Sequence, residues 1–335
     1  MIKEAFFEHE GGIAEMPTIL TFYDLDEKYQ QQIREIAPDY ELKKVPAKEA
    51  TAQQIREAEI LVGWNRQLEQ EAAESDNLKW VQSWSAGVDY FPMDRFAQKG
   101  IQLTTSGGVH AIPISEHIFA VLLAMTRNLD GNIRSQVRGQ WEKGEAHNGL
   151  YGEIHGRTLV IVGTGHIGRA TARVAKAFGM KTVGVRHSGR SEEYFDEMYK
   201  TDGIQEAFAE GDVIVNILPL TDETQHFFNR ESFGYMKQGA IYITVGRGPS
   251  TDTDALIEAL DSGRLSGAAL DVFEQEPLPE DHPLWSRDDV ILTPHVAGNT
   301  DHYDERAAEI FVDNLKAYVQ GEKLPRNLVD YSRKY

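Results

Sequence analysis

Three residues of this chain carry side chains suited to polar chemistry at a carbonyl group. Arg247 lies in TVGRGPSTDTDAL, Glu276 in GAALDVFEQEPLP and His295 in ILTPHVAGNT, so that 29 and then 19 residues separate them. Histidine exchanges a proton near neutral pH. A carboxylate beside it orients the ring and stabilises its positive charge. Arginine offers a planar fork of N–H donors that grips two oxygens at once, which a lysine ammonium does not. A reaction that builds negative charge on an oxygen needs both a proton donor and a fixed cation. Taken singly, each residue has an ordinary structural reading: Arg247 in a surface ion pair, Glu276 as a solvated loop acid, His295 as a hydrogen-bonded structural histidine.

A fourth segment, TLVIVGTGHIGRATARVAKAF, sets Gly163, Gly165 and Gly168 in G-x-G-x-x-G spacing between an apolar strand pattern and an alanine-faced helix. Glycines at these points permit a tight turn, approach of a pyrophosphate to backbone N–H groups, and close helix–strand packing. The turn, with Thr164, His166 and Ile167 inside it, predicts dinucleotide binding. Folds of this kind that favour NAD place a carboxylate at the end of the next strand, where it takes the ribose hydroxyls and repels a 2′-phosphate. Here that strand, KTVGV, runs into Arg186, His187, Ser188 and Arg190, with no carboxylate before Glu192. Two guanidiniums and a hydroxyl suit a phosphate, with His187 beside the adenine. NADP is the expected cofactor, with NAD as the second choice; the ordinary reading of Arg186 and Arg190 is as solvated loop charges.

The elements that must position these groups follow an alternating α/β pattern. Strand-like runs at 18–23, 40–45 and 59–64 enclose helical patterns at 26–36 and 52–57, and further strands are expected at 78–84 and 101–105. Such βαβ alternation implies a parallel sheet. The segment 112–126, IPISEHIFAVLLAMT, reads as a helix apolar all round, which needs burial on most of its surface and suits a domain or subunit junction. After a polar stretch containing Trp141 and Gly144, strands at 158–162, 182–185, 213–216, 240–244, 267–270 and 290–292 alternate with helices at 167–178, 204–209, 230–236 and 253–262. A last helix is expected over 301–320. The fold class is two doubly wound parallel-sheet domains: a Rossmann cofactor domain, and a smaller flavodoxin-like domain with a cleft between them.

Composition narrows the partners. Acidic residues outnumber basic ones 53 to 34, a net charge of −19. That charge repels phosphodiester backbones and anionic membrane surfaces, so neither nucleic acid nor membrane is expected as a partner. With no cysteine, disulfides, thiolate catalysis and thiolate zinc sites are excluded, and no metal site is assigned. The opening MIKEAFFEHEGG has neither the cationic nor the apolar region of a signal peptide, and a cytoplasmic location is expected. Residues 1–15 read as an extension to the main architecture.

Taken together, the glycine-rich turn, the RG at a strand end, LDVF…EP and PH resemble the D-isomer-specific 2-hydroxyacid dehydrogenases, over about residues 81–300. The resemblance implies hydride transfer between a nicotinamide and a small 2-keto acid such as glyoxylate or hydroxypyruvate. It implies a discontinuous substrate domain, 1–113 with 300–335, and a cofactor domain, 114–299. By it, the amides of Ala86, Gly87 and Val88 take the substrate carboxylate, and Asp271 holds the nicotinamide carboxamide. Leu218, Pro219, Val245 and Gly246 complete the cofactor site. A homodimer paired through the cofactor domain is also implied. The family commonly has an asparagine near the stretch that reads TTSGGVH here, which Ser106, Gly107 and His110 occupy, so the substrate side departs from the pattern. A nucleotide-sensing binding protein of the co-repressor kind, sharing this fold, is the competing expectation.

Overall fold

The computed structural model describes residues 16–88, 90–141 and 151–331. The expected extension at 1–15, and Gly144, lie outside the described residues. The chain divides into two compact units, one formed by the residues up to Val109 with those from Asp301 on, the other running from His110 to Thr300. The first boundary falls at 109/110 rather than 113/114 because the helix that starts at Ala111 stays whole within the second unit. The second falls at 300/301, one residue beyond the expected one.

In the first unit, β1 (Thr18–Thr21), α1 (Glu27–Ile36), β2 (Glu41–Lys44), α2 (Ala52–Glu57), β3 (Ala58–Val62), α3 (Glu69–Glu74), β4 (Trp80–Gln82), α4 (Met93–Lys99) and β5 (Gln102–Thr104) follow one another. Local chemistry sets their ends. Asp26 caps α1 by accepting from Lys28 N–H, Thr51 and Gln54 close a capping box on α2, and Gly100 stops α4 in the left-handed conformation. The strands form a parallel sheet ordered β2-β1-β3-β4-β5. Helices α3 and α4 were not foreseen in the sequence, since six or seven residues show little of a 3.6-residue period. Strand β4 is shorter than the expected 78–84 because Trp84 turns out of the ladder to stack on Tyr23 and donate to Asp304 Oδ1 at 2.8 Å.

The second unit opens with α5 (Ala111–Thr126) and α6 (Leu129–Val137). It continues through β6 (Thr158–Val162), α7 (His166–Ala177), β7 (Lys181–Val185), β8 (Glu197–Tyr199), α8 (Ile204–Glu210), β9 (Val213–Asn216), α9 (Arg230–Tyr235), β10 (Ala240–Thr244), α10 (Thr253–Asp261), β11 (Leu265–Leu270) and β12 (Val290–Leu292). All seven strands run parallel in the order β12-β11-β10-β9-β6-β7-β8. The chain winds outward from β6 to β8, then returns to the other side of β6 and winds outward again. Loops after β6 and β9 therefore diverge and leave a crevice at the carboxyl edge, where such sheets bind ligands. Two apolar layers cover the sheet, one including Phe208, Phe228, Phe233 and Leu256, the other including Ile118, Leu122, Ala172 and Ala175. Both faces being covered, β6, β9 and β10 read as continuous apolar runs.

Helix α5 corrects an expectation. Its Ile118, Phe119, Val121 and Leu122 are buried within the second unit, packed with residues of α7 and the β6–β9–β10 face, so it needs no second subunit for cover. Exposed apolar side chains line α6 instead: Leu129, Ile133 and Val137, one helical turn apart, with Trp141 just beyond. The last helix, α11 (Tyr303–Val319), belongs to the first unit, where it packs on α1 and Phe311 stacks on Trp80 with ring centroids 5.1 Å apart.

Candidate active site

Glycine chemistry shapes the turn after β6. Gly163 sits at φ +103, and a Cβ there would lie 3.0 Å from Ile217 O; on Gly168 it would lie 2.3 Å from Gly163 O. Only a residue without a side chain lets α7 begin so close to the turn. At Gly165 a Cβ would meet nothing within 4 Å, which is the open approach a bound phosphate needs. No side chain caps α7 and no acid stands in its first turn, while the hydroxyl of buried Thr164 has no hydrogen-bond partner among the described residues. Uncapped N–H groups and an orphaned donor fit a dinucleotide pyrophosphate. Exposed His166 and half-buried Ile167 lie in the first turn of α7. Across the crevice, Asn216 Oδ1 holds Leu218 N–H at 3.0 Å, and Pro219 follows at the surface.

At the end of β7, Arg186 is half-buried and His187, Ser188 and Arg190 are exposed. Arg186 is not a free cation: its Nη1 lies 2.8 Å from Glu192 Oε2. No carboxylate precedes Glu192 along this segment, but the turn brings Glu192 itself back onto Arg186, which local spacing alone does not show.

The loop after β10 carries Arg247. Val245 and Gly246 are buried, and Arg247 Nη1 donates to Gly246 O at 3.0 Å, leaving the rest of the fork without a partner among the described residues. Two glycines seat this loop. A Cβ on Gly246 would lie 2.5 Å from Leu218 O, and one on Gly248 would lie 1.7 Å from Phe273 O. Gly248 thus brings the arginine loop onto the backbone of the glutamate loop. Gly248 was not foreseen as a site residue, although its place beside the arginine is plain in the sequence.

Beyond β11 the chain curls so that Glu276 Oε1 accepts Phe273 N–H at 3.0 Å, and Oε2 meets His295 Nδ1 at 2.8 Å. Burial pushes the Glu276 carboxyl up. The hydrogen bonds from His295 and Phe273 N–H, with the charges of His295 and Arg247, outweigh it and hold the group below its usual range. Glu276 is therefore the acceptor and His295 carries hydrogen on Nδ1, which leaves Nε2 outside this pair.

His295 sits at φ +55, a left-handed conformation that costs roughly 1–2 kcal/mol for a residue with a side chain. Asp271 offsets that cost. Its Oδ1 accepts from Val296 N–H at 2.9 Å and Thr293 Oγ1 at 2.6 Å, and its Oδ2 accepts from Ala297 N–H at 2.9 Å. Each hydrogen bond to a charged group contributes about 1.5–3 kcal/mol, so the clamp outweighs the strain. His117 Nε2 lies 3.2 Å from Thr293 Oγ1, and burial pushes its pKa down against the opposing pull of the Asp271 carboxylate. Neither His117 nor Thr293 was anticipated; the one signal was a histidine inside an apolar helix.

Arg247, Glu276, His295 and Asp271 thus stand at the ends of β10, β11 and β12, on the same carboxyl edge as the glycine turn and Arg186. In the first unit, the N–H groups of Ala86, Gly87 and Val88 donate to no protein acceptor among the described residues. Ser106 is buried and donates to Ser83 O at 2.9 Å, while His110 Nδ1 bonds Gly298 O at 2.9 Å within the second unit. No cluster of metal-ligating side chains occurs among the described residues.

Comparison with known proteins agrees with this layout. Residues 119–297 match the family described as D-isomer specific 2-hydroxyacid dehydrogenase, NAD binding domain. The chain is 33% identical to glyoxylate/hydroxypyruvate reductase B of Escherichia coli, an alignment covering 94% of this chain and 98% of that protein. Among solved structures, a D-isomer specific 2-hydroxyacid dehydrogenase family protein from Aeromonas salmonicida is 35% identical, with TM-score 0.76 over 94% of this chain and 99% of that one. The D-isomer specific 2-hydroxyacid dehydrogenase from Xanthobacter autotrophicus Py2, solved in complex with NADPH and MES, is 26% identical, with TM-score 0.76 over 96% of this chain and 100% of that one.

Proposed function

Because the chain belongs to the D-isomer specific 2-hydroxyacid dehydrogenase family, and is an oxidoreductase acting on 2-hydroxy acids with a nicotinamide cofactor, we propose that it reduces small 2-keto acids such as glyoxylate or hydroxypyruvate. The observation that carries this reading is the 2.8 Å bond between His295 Nδ1 and Glu276 Oε2, with the Arg247 charge acting on the same carboxylate. When bound, the reduced nicotinamide supplies a hydride to the keto carbon. Arg247 forks onto the carboxylate and the keto oxygen and stabilises the charge that gathers there. His295 delivers the proton on Nε2 to that oxygen, giving the alcohol, and takes a new proton from solvent. Glu276 holds the ring through both states, and Asp271 holds the loop that carries it. The open amides of Ala86, Gly87 and Val88 are suited to a carboxylate, and one lone pair left on Asp271 Oδ2 is suited to a carboxamide N–H.

NADP is the preferred cofactor in this reading, with NAD accepted. Arg186 at the end of β7 supports it, as does the NADPH bound in the Xanthobacter relative. The functional unit is a homodimer, supported by the exposed apolar stripe of α6. The working location is the cytoplasm; no helix among the described residues is long and apolar enough to cross a membrane. Oxidation of NADPH, followed at 340 nm with a panel of 2-keto acids, tests the proposal. Turnover with glyoxylate or hydroxypyruvate is expected. Nucleotide binding without turnover of any keto acid would assign the chain instead to nucleotide sensing.

A further inference from the structure

Glu192 brings a carboxylate back to the basic turn that follows β7. Its Oε2 lies 2.8 Å from Arg186 Nη1 and its Oε1 3.6 Å from Nη1 of Arg169, in the first turn of α7. Glu192 is the most buried of the three, with 22% of its side chain exposed against 34% and 40% for the arginines. Gly189 N–H closes the turn on Arg186 O at 3.1 Å, with Gly189 at φ +58, and the chain reverses so that residue 192 faces residue 186.

In a dinucleotide fold, the end of the second strand faces the adenosine ribose, and the side chain there decides between a hydroxyl and a phosphate. This chain has a cation at that position and returns a carboxylate to it from six residues further on. A 2′-phosphate and the Glu192 carboxylate would compete for the same guanidinium, and the two anions repel one another. With a 2′-hydroxyl there is no competition, because the ion pair persists and Glu192 stays able to accept from the hydroxyl.

We propose that Glu192 sets the cofactor selectivity of the enzyme: it screens Arg186 from a 2′-phosphate and so keeps NAD usable beside NADP. This rests on the reading that Arg186 faces the 2′-position. Adenosine 2′,5′-bisphosphate, titrated calorimetrically into the full-length protein, is the probe, with 5′-AMP as reference. Glu192→Gln should bind the bisphosphate about tenfold more tightly relative to 5′-AMP, the equivalent of one charge-assisted contact released. The kcat/KM ratio of NADPH to NADH should rise by a similar factor. In Arg186→Ala the bisphosphate preference should fall, and adding Glu192→Gln to that variant should raise it by much less than the same change does beside Arg186, because only the repulsion between the two anions is then relieved. Unchanged or weaker bisphosphate binding by Glu192→Gln, with Arg186→Ala still impaired, would overturn the role of Glu192 and leave that of Arg186 standing. If Arg186→Ala binds both probes as the wild type does, the two readings fall together.

Discussion

At the scale of single residues, the proposed reaction separates groups that would touch a reactant from groups that hold them. His295 presents Nε2, and its removal should lower kcat roughly 100-fold or more while leaving nucleotide affinity little changed. Steady-state kinetics of His295→Ala with a fluorescence titration of NADPH checks this, and an unaltered kcat would remove His295 as the proton donor. Arg247→Lys keeps the charge but loses the fork, so kcat/KM should fall on the order of 100-fold, the loss seen when one donor to a developing oxyanion is removed. Near wild-type efficiency would refute the two-oxygen grip. Glu276 makes a prediction in pH. Its folded-state carboxyl is held below the ordinary 4.5, so its contribution to stability is present above that value and is lost as pH falls through the lower folded value. With 36% of its side chain exposed, screening limits that contribution to less than about 1 kcal/mol. Melting curves of the wild type and Glu276→Gln should therefore differ near pH 6 and converge as the pH drops well below 4.5. A gap independent of pH would show that Glu276 acts through packing rather than charge.

At the scale of elements, the sheet presents its strand ends along one edge, and the loops do the rest. The loops after β10 and β11 meet because Gly248 allows a backbone approach closer than any side chain permits, and the loop after β12 joins them through the His295–Glu276 hydrogen bond. Gly248→Ala must push the arginine loop away from Phe273, at a cost of about 1–3 kcal/mol and with Arg247 displaced from the carboxylate it faces. A lower Tm together with a loss of kcat is expected. Wild-type kinetics and melting would mean that the loops meet without it. The clamp of Asp271 on Val296, Ala297 and Thr293 follows the same logic, since a strained catalytic residue persists only where its surroundings over-determine it.

At the scale of the whole molecule, the question is what covers α6. Leu129, Ile133 and Val137 are 49%, 58% and 83% exposed, a stripe that a single subunit leaves to water. Light scattering of the wild type is expected to report twice the 37.7 kDa chain mass. Ile133→Asp, at the centre of the stripe, should shift that toward one chain mass without unfolding the subunit, because the side chain packs in no core of its own unit. A wild-type mass of one chain at micromolar concentration would rule out the dimer.

The sequence by itself determined the architecture of each unit and the family. Strand runs such as Thr158–Val162 and Val213–Asn216, and the glycine turn between strand and helix, rest on local periodicity and turn chemistry, which need no distant partner to be legible. Short elements such as α3, α6 and β8 were missed because six to nine residues or fewer, on a mixed surface, carry little periodic signal. Only the tertiary structure decided which side chains meet. Parallel strands are joined by crossovers, so a residue at one strand end finds its partner tens of residues away: Glu276 with His295, Asp271 with the loop around Ala297, Gly248 with Phe273. The same holds for burial. An all-round apolar helix announces that it must be covered, but whether its own unit or a second subunit covers it depends on packing geometry, and here α7 and the sheet lie over α5 while α6 is left to the surface.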